Sequence, residues 1–96
     1  SVMKWVALST GFTKGKDYLN DKAVEAVCGD RAVSILPVGV TRVEGDFEKG
    51  DLERIMSPEG QNLGVGRTAY SCEEAVRVIG QHDCKPLVHY DYLYLE

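Results

Sequence analysis

Apolar positions in this chain change their spacing several times, and each change marks an element. Met3 to Ser9 carries β-branched and aromatic residues and ends at Gly11, which predicts a first strand. A loop containing Gly and Lys follows, with one short extended step at Tyr18-Leu19. Ala23, Val24, Val27 and Cys28 then recur at helical spacing. Asn20 or Asp21 can cap that helix by accepting from a first-turn amide, and Gly29 can end it. Val33 to Gly45 reads as a long strand, bent or interrupted at Pro37, which has no amide hydrogen for a ladder. Gly45-Asp46 and Gly50-Asp51 are turn signals, and Leu52 to Met56 is the next strand. After the turn at Pro58-Glu59-Gly60, Asn62 to Thr68 pairs back as a hairpin, with Gly64 and Gly66 pointing to a bulge or close backbone packing.

Ser71-Cys72-Glu73-Glu74 has the form of a capping box, in which Ser71 and Glu74 each accept from the other's backbone amide. Cys72, Ala75, Val76 and Ile79 follow at helical spacing, so they form one buried face, and Gly80 ends the helix. Pro86 opens a last strand running through Leu95. In it Val88, Tyr90, Tyr92 and Tyr94 share one face, while Leu87, His89, Asp91, Leu93 and Leu95 share the other. The order predicts one mainly β domain over residues 1–96 with two short helices, a small mixed β-barrel closed by its terminal strand. Pattern alone leaves an open α+β sheet equally open.

Composition narrows the function classes. No apolar run approaches the ~20 residues that span a bilayer. Three cysteines leave at least one without an intramolecular partner, which suits a reducing cytoplasm. The net charge is −4, with 15 acidic and 11 basic side chains, and this weighs against strong nucleic-acid binding. Several cations also sit beside acids, as Arg42 does near Glu44 and Arg54 beside Glu53, so a solvated surface is the simpler reading.

Three familiar constellations fail on chemistry. Gly11-Phe12-Thr13-Lys14-Gly15-Lys16 lacks the four residues between its glycines and the hydroxyl of a phosphate loop. Asp17 follows directly, putting a negative charge where phosphate would sit. Cys72, His82, Cys84 and His89 lack the close cysteine pair of structural zinc sites; Cys72 is better placed as a buried thiol and Cys84 in an exposed loop. His89 and Asp91 would need a strained serine elbow to form a triad, and none is present. A structural hydrogen bond between them is the reading kept.

The stretch from Leu36 to Asp51, with its β-branched run and two Gly-Asp turns, resembles the core of the PUA domain. Trp5-Val6-Ala7, Ser34-Ile35-Leu36-Pro37-Val38-Gly39-Val40 and Val88-His89-Tyr90-Asp91-Tyr92-Leu93 are similar to the C-terminal PUA domain of the glutamate 5-kinase family. The resemblance implies a PUA-type pseudo-barrel, an accessory piece of a longer kinase with no catalytic residue, cofactor or metal of its own. The parent would phosphorylate the glutamate side chain with ATP and magnesium, the first step of proline biosynthesis. Its partner would be the kinase domain of the same chain or of a neighbouring subunit. The alternative is an RNA-binding PUA module, stand-alone or from an RNA-modifying enzyme. The surface that family members offer to RNA falls here on Lys22, Arg31, Gly39, Arg42, Tyr90 and Tyr92. Asp21, Glu25, Asp30, Glu44 and Asp46 lie among the same elements and repel phosphate. The tyrosine-rich ending departs from the family pattern.

Overall fold

In the computed structural model, residues 12–96 are described, so the strand expected at Met3 to Ser9 lies outside them. Strand β1 (Gly15–Leu19) begins earlier than the short step expected at Tyr18-Leu19. It takes up the Lys-containing segment because both of its flanks are paired. One side meets β2 (Val40–Gly45) antiparallel, and the other meets β3 (Leu52–Met56) in parallel. Antiparallel β4 (Asn62–Arg67) and β5 (Leu93–Leu95) complete a mixed five-stranded sheet in the order β2-β1-β3-β4-β5. Ile35 and Val88, in the segments leading into the two edge strands, form an antiparallel bridge, with the Ile35 amide donating to the Val88 carbonyl at 2.8 Å. That bridge draws the edges together and curves the sheet into the expected pseudo-barrel.

Local chemistry sets the helices. Asn20 caps α1 (Asp21–Val27): its Oδ1 accepts from the Ala23 amide at 2.8 Å. Val27 is buried and Ala23 and Val24 pack on the core, but Cys28, expected on that face, is exposed at the helix end. The capping box of α2 (Cys72–Val78) is present, with Ser71 accepting from Glu74 N and Glu74 accepting from Ser71 N at 3.0 Å. The buried face of α2 differs from the expected one. Ala75 is buried with Cys72, Val78 and Ile79 packed beside it, while Val76 turns to solvent. Cys84, expected to be exposed, is half-buried.

Two long strands of the sequence reading are shorter here. Val33 to Gly45 is interrupted where the pattern placed the break, since Pro37–Gly39 forms a 3₁₀ turn before β2. The last strand is corrected more heavily. Tyr90–Tyr92 is a second 3₁₀ turn, so only Leu93–Leu95 is strand, and the shared face of Val88, Tyr90, Tyr92 and Tyr94 does not form. His89 causes the break by a local side-chain bond, its Nδ1 accepting from the Asp91 amide at 3.1 Å while its carbonyl accepts from Tyr92 N at 2.9 Å.

The core gathers Leu19, Ile35, Val40, Phe47, Ile55 and Leu87 between sheet and helices. Two acids lie inside with them. Asp17 and Glu53 are both fully buried, because strand alternation turns them to the same inner face as Leu19 and Ile55. Glu53 therefore forms no surface pair with Arg54, which projects to the opposite face.

Candidate nucleic-acid or protein interface

The first turn of α1 and the first 3₁₀ turn are joined by one residue. Asn20 donates its backbone amide to Gly39 O at 2.8 Å and its side-chain amide to Val38 O at 3.4 Å. Between the two elements lies a cleft of about 360 Å³ whose walls are mostly apolar, contributed by Ala23, Val27, Ile35, Leu36 and Val38. Lys22 and His82 supply its positive or ionisable groups, and Ser34 its hydroxyl. Gly39 forms part of the wall because the helix crosses directly above it. A Cβ there would stand 2.8 Å from the Ala23 Cβ, too close without displacing α1.

The six residues expected on a recognition surface divide into separate groups. Lys22 and Gly39 line the cleft together. Tyr90 adjoins it, since its amide donates to Ser34 Oγ at 2.9 Å. The Tyr90 ring is 47% exposed and stacks on His89 with centroids 4.3 Å apart. Tyr92, equally exposed, lies under the Arg67 guanidinium at 5.4 Å. Arg42 is not in the cleft. It sits on β2, in a 3.1 Å ion pair with Glu44 and 4.0 Å above the Tyr18 ring. Arg31 is exposed beyond α1 and does not line the cleft. Leu36, 48% exposed, together with Ser34, Asn20 and His82, belongs to the cleft and was not among the recognition residues expected from sequence. The one hint was Leu36 itself, a large apolar residue directly before Pro37.

The cleft has one permanent cation for a surface that would hold a phosphate backbone, and its walls favour apolar contact. Leu36 and Tyr90 extend that apolar character outside it. Chemically the face suits a protein surface or a stacked base better than a run of phosphates. His89 and Asp91 are joined locally, but through the Asp91 backbone amide at a 3₁₀ turn and not across the strand face expected. Nδ1 of His89 accepts from the Asp91 amide at 3.1 Å and stands 3.6 Å from the Asp91 carboxylate. Among the described residues no three of His, Cys, Asp and Glu gather as a metal-binding group. None of the described helices is long and apolar enough to cross a membrane.

Inside the barrel the buried acids form a second titrating feature. Burial, chiefly, pushes the Glu53 carboxyl up to about 10, and the neighbouring Asp17 charge adds to the rise. Burial also raises Asp17, to about 6, opposed by its hydrogen bond with Glu53. The pair holds one proton between them at neutral pH, and the Thr68 hydroxyl is engaged elsewhere, donating to Tyr70 O at 2.8 Å.

Comparison with known proteins agrees with this geometry. The family model of the PUA domain matches residues 15–90. Glutamate 5-kinase of Bacteroides thetaiotaomicron is 48% identical over 96 residues, covering 100% of this chain but 27% of that protein. The chain thus spans about a quarter of the length of the kinase it matches. The crystal structure of a PUA domain from Aeropyrum pernix K1, a tartrate complex, has a TM-score of 0.75 at 18% identity, covering 93% of this chain and 47% of that one. A chain of the archaeal box H/ACA sRNP Nop10–Cbf5 complex has a TM-score of 0.59 at 20% identity, covering 86% and 23%. At such identities the structural likeness concerns the fold. The chain belongs to the PUA domain family.

Proposed function

We propose that this chain is the accessory PUA module of a glutamate 5-kinase, carrying no catalytic residue, cofactor or metal of its own. The observation that carries the reading is the 48% identity to a glutamate 5-kinase along the entire chain. The parent enzyme transfers phosphate from ATP, with magnesium, to the side chain of glutamate and so serves proline biosynthesis in the cytoplasm. The module packs on the kinase domain of its own chain or of a neighbouring subunit. The apolar cleft and exposed Leu36 and Tyr90 support this, since such a face gains most by burial against protein.

The structural likeness to a chain of an sRNP favours one second reading, an RNA-binding module using Lys22, Arg31, Gly39, Arg42, Tyr90 and Tyr92. The charge pattern opposes it: Arg42 is already paired with Glu44, so it has little counterion to release to a phosphate. Fluorescence titration with single-stranded and structured RNA at two salt concentrations separates the two. The accessory reading expects a dissociation constant no tighter than about 10 µM at physiological salt. Sub-micromolar binding with a steep salt slope, abolished by Arg42→Glu, would establish the RNA module instead.

A further inference from the structure

The segment rejected above as a phosphate loop has a different meaning once its register is known. Asp17 was the chemical objection, and Asp17 points into the barrel, fully buried. Lys14 and Lys16 alternate with it and lie on the other side of β1. In the sheet register Lys16 stands opposite Glu44 on β2 and Arg54 on β3, all three on that side. Lys14, Lys16, Glu44 and Arg54, with the glycines of the paired positions Gly15 and Gly45, line a shallow cleft of about 290 Å³.

Two features of this cleft are unfavourable without an anion. Lys16 and Arg54 are like charges at directly paired positions, an arrangement that destabilises a sheet. The Arg54 Nε is buried and has no hydrogen-bond partner among the described residues, which costs the desolvation of a charged donor. Neither lysine forms an ion pair among the described residues, and Glu44, the acid in the cleft, is engaged by Arg42 at 3.1 Å. Three cations with no ion pair among the described residues thus line one cleft, with Glu44 as its single acid, in a chain whose net charge is −4. One oxyanion placed between Lys16 and Arg54 would offset the repulsion between them. The cleft lies at the small end of ligand-site volumes, so it fits a phosphate group and not a whole nucleotide.

The geometry points to a second binding site here, formed by Lys14, Lys16 and Arg54, that takes the phosphate group of a small molecule. It lies apart from the α1 cleft and does not depend on the accessory-module reading. Arg54 supplies the directional contact through its planar guanidinium, while the lysines act as point charges. Glu44, at the rim, sets the strength by opposing the anion.

The test is nuclear magnetic resonance titration of the ¹⁵N-labelled 96-residue chain, without magnesium. The probes are inorganic phosphate, pyrophosphate and a short single-stranded RNA. Saturable shifts of the Thr13–Lys16 and Glu44–Gly45 amides and of the Arg54 Nε signal are expected, with pyrophosphate half-saturating at about 1 mM. Arg54→Gln is expected to weaken this about tenfold or more, the loss of one hydrogen bond to a charged group. Lys16→Gln should weaken it too, keeping the test open if the first variant folds poorly, and Glu44→Gln should strengthen it. Arg77→Gln, on α2, should change nothing. RNA shifting the same amides more tightly than pyrophosphate would keep the phosphate chemistry and name nucleic acid as its source. Absence of saturation up to about 20 mM with every probe, or shifts confined to other residues, overturns the site.

Discussion

Glu53→Gln is expected to remove most of the decline in stability that the native chain shows between pH 5 and pH 8. Glu53 and Asp17 lie on the inner face of adjacent parallel strands, fully buried, and no cation among the described residues bonds either carboxyl. Burial and the Asp17 charge hold Glu53 protonated in the folded state, up to about 10, whereas it ionises at its ordinary 4.5 when unfolded. The folded state therefore binds more protons than the unfolded one over that interval. Stability from this group is whole below pH 4.5 and is lost as pH rises toward about 10. At 1.36 kcal/mol per pH unit, the interval from 4.5 to 7 removes about 3 kcal/mol. That is a large share of the ~5–15 kcal/mol of a typical domain and corresponds to roughly 10–20 °C in Tm. Asp17 adds a loss of the same sign between 3.8 and about 6. Glutamine keeps an N–H that can donate to Asp17 and has no proton to release on unfolding. Urea unfolding followed by circular dichroism at pH 5, 6, 7 and 8 measures the slopes. The native slope should exceed that of Glu53→Gln by about 1 kcal/mol per unit, and Asp17→Asn/Glu53→Gln should be nearly flat. Parallel slopes for native and Glu53→Gln chains would show that the pair carries no excess proton.

Phe47→Ala should cost about 3–5 kcal/mol, because the ring is 1% exposed in the core cluster, and the same urea assay would read it. Ser71→Ala should cost about 1 kcal/mol by removing one half of the capping box. In that variant the Glu74 carboxyl, now held low by its bonds to Ser71, should rise toward its ordinary value in a carbon-detected titration, and its contribution to stability, present above 4.5 and lost as pH falls, should shrink. Gly39→Ala should cost about 1–3 kcal/mol and shift α1 amides, because the added methyl meets Ala23.

Features written in neighbouring residues were legible in the sequence. Ser71 and Glu74 announce their capping box within four positions, and Asn20 announces the start of α1. The residues of the PUA resemblance led to the family, and the pseudo-barrel followed. Features that depend on pairing across the sheet were not legible. Asp17 and Glu53 read as surface acids until β1 and β3 are set side by side, and the same register brings Lys16 beside Arg54. The tyrosines before Leu95 alternate like a strand, but His89 competes through a bond that alternation does not encode. Of the expected recognition residues, Lys22 and Gly39 meet because Asn20 ties α1 to the 3₁₀ turn. Arg42 is carried elsewhere by the β1–β2 register, which places it opposite Tyr18.

The central claim, an accessory module that packs on a kinase domain, is tested most directly by binding. The kinase part of the Bacteroides thetaiotaomicron relative, expressed without its own matching segment, would be titrated with this chain by calorimetry. A saturable one-to-one heat, lost in Leu36→Asp/Tyr90→Asp with the fold intact by circular dichroism, is the predicted result. No heat with that kinase part, alongside sub-micromolar RNA binding that the same double variant abolishes, would contradict the claim.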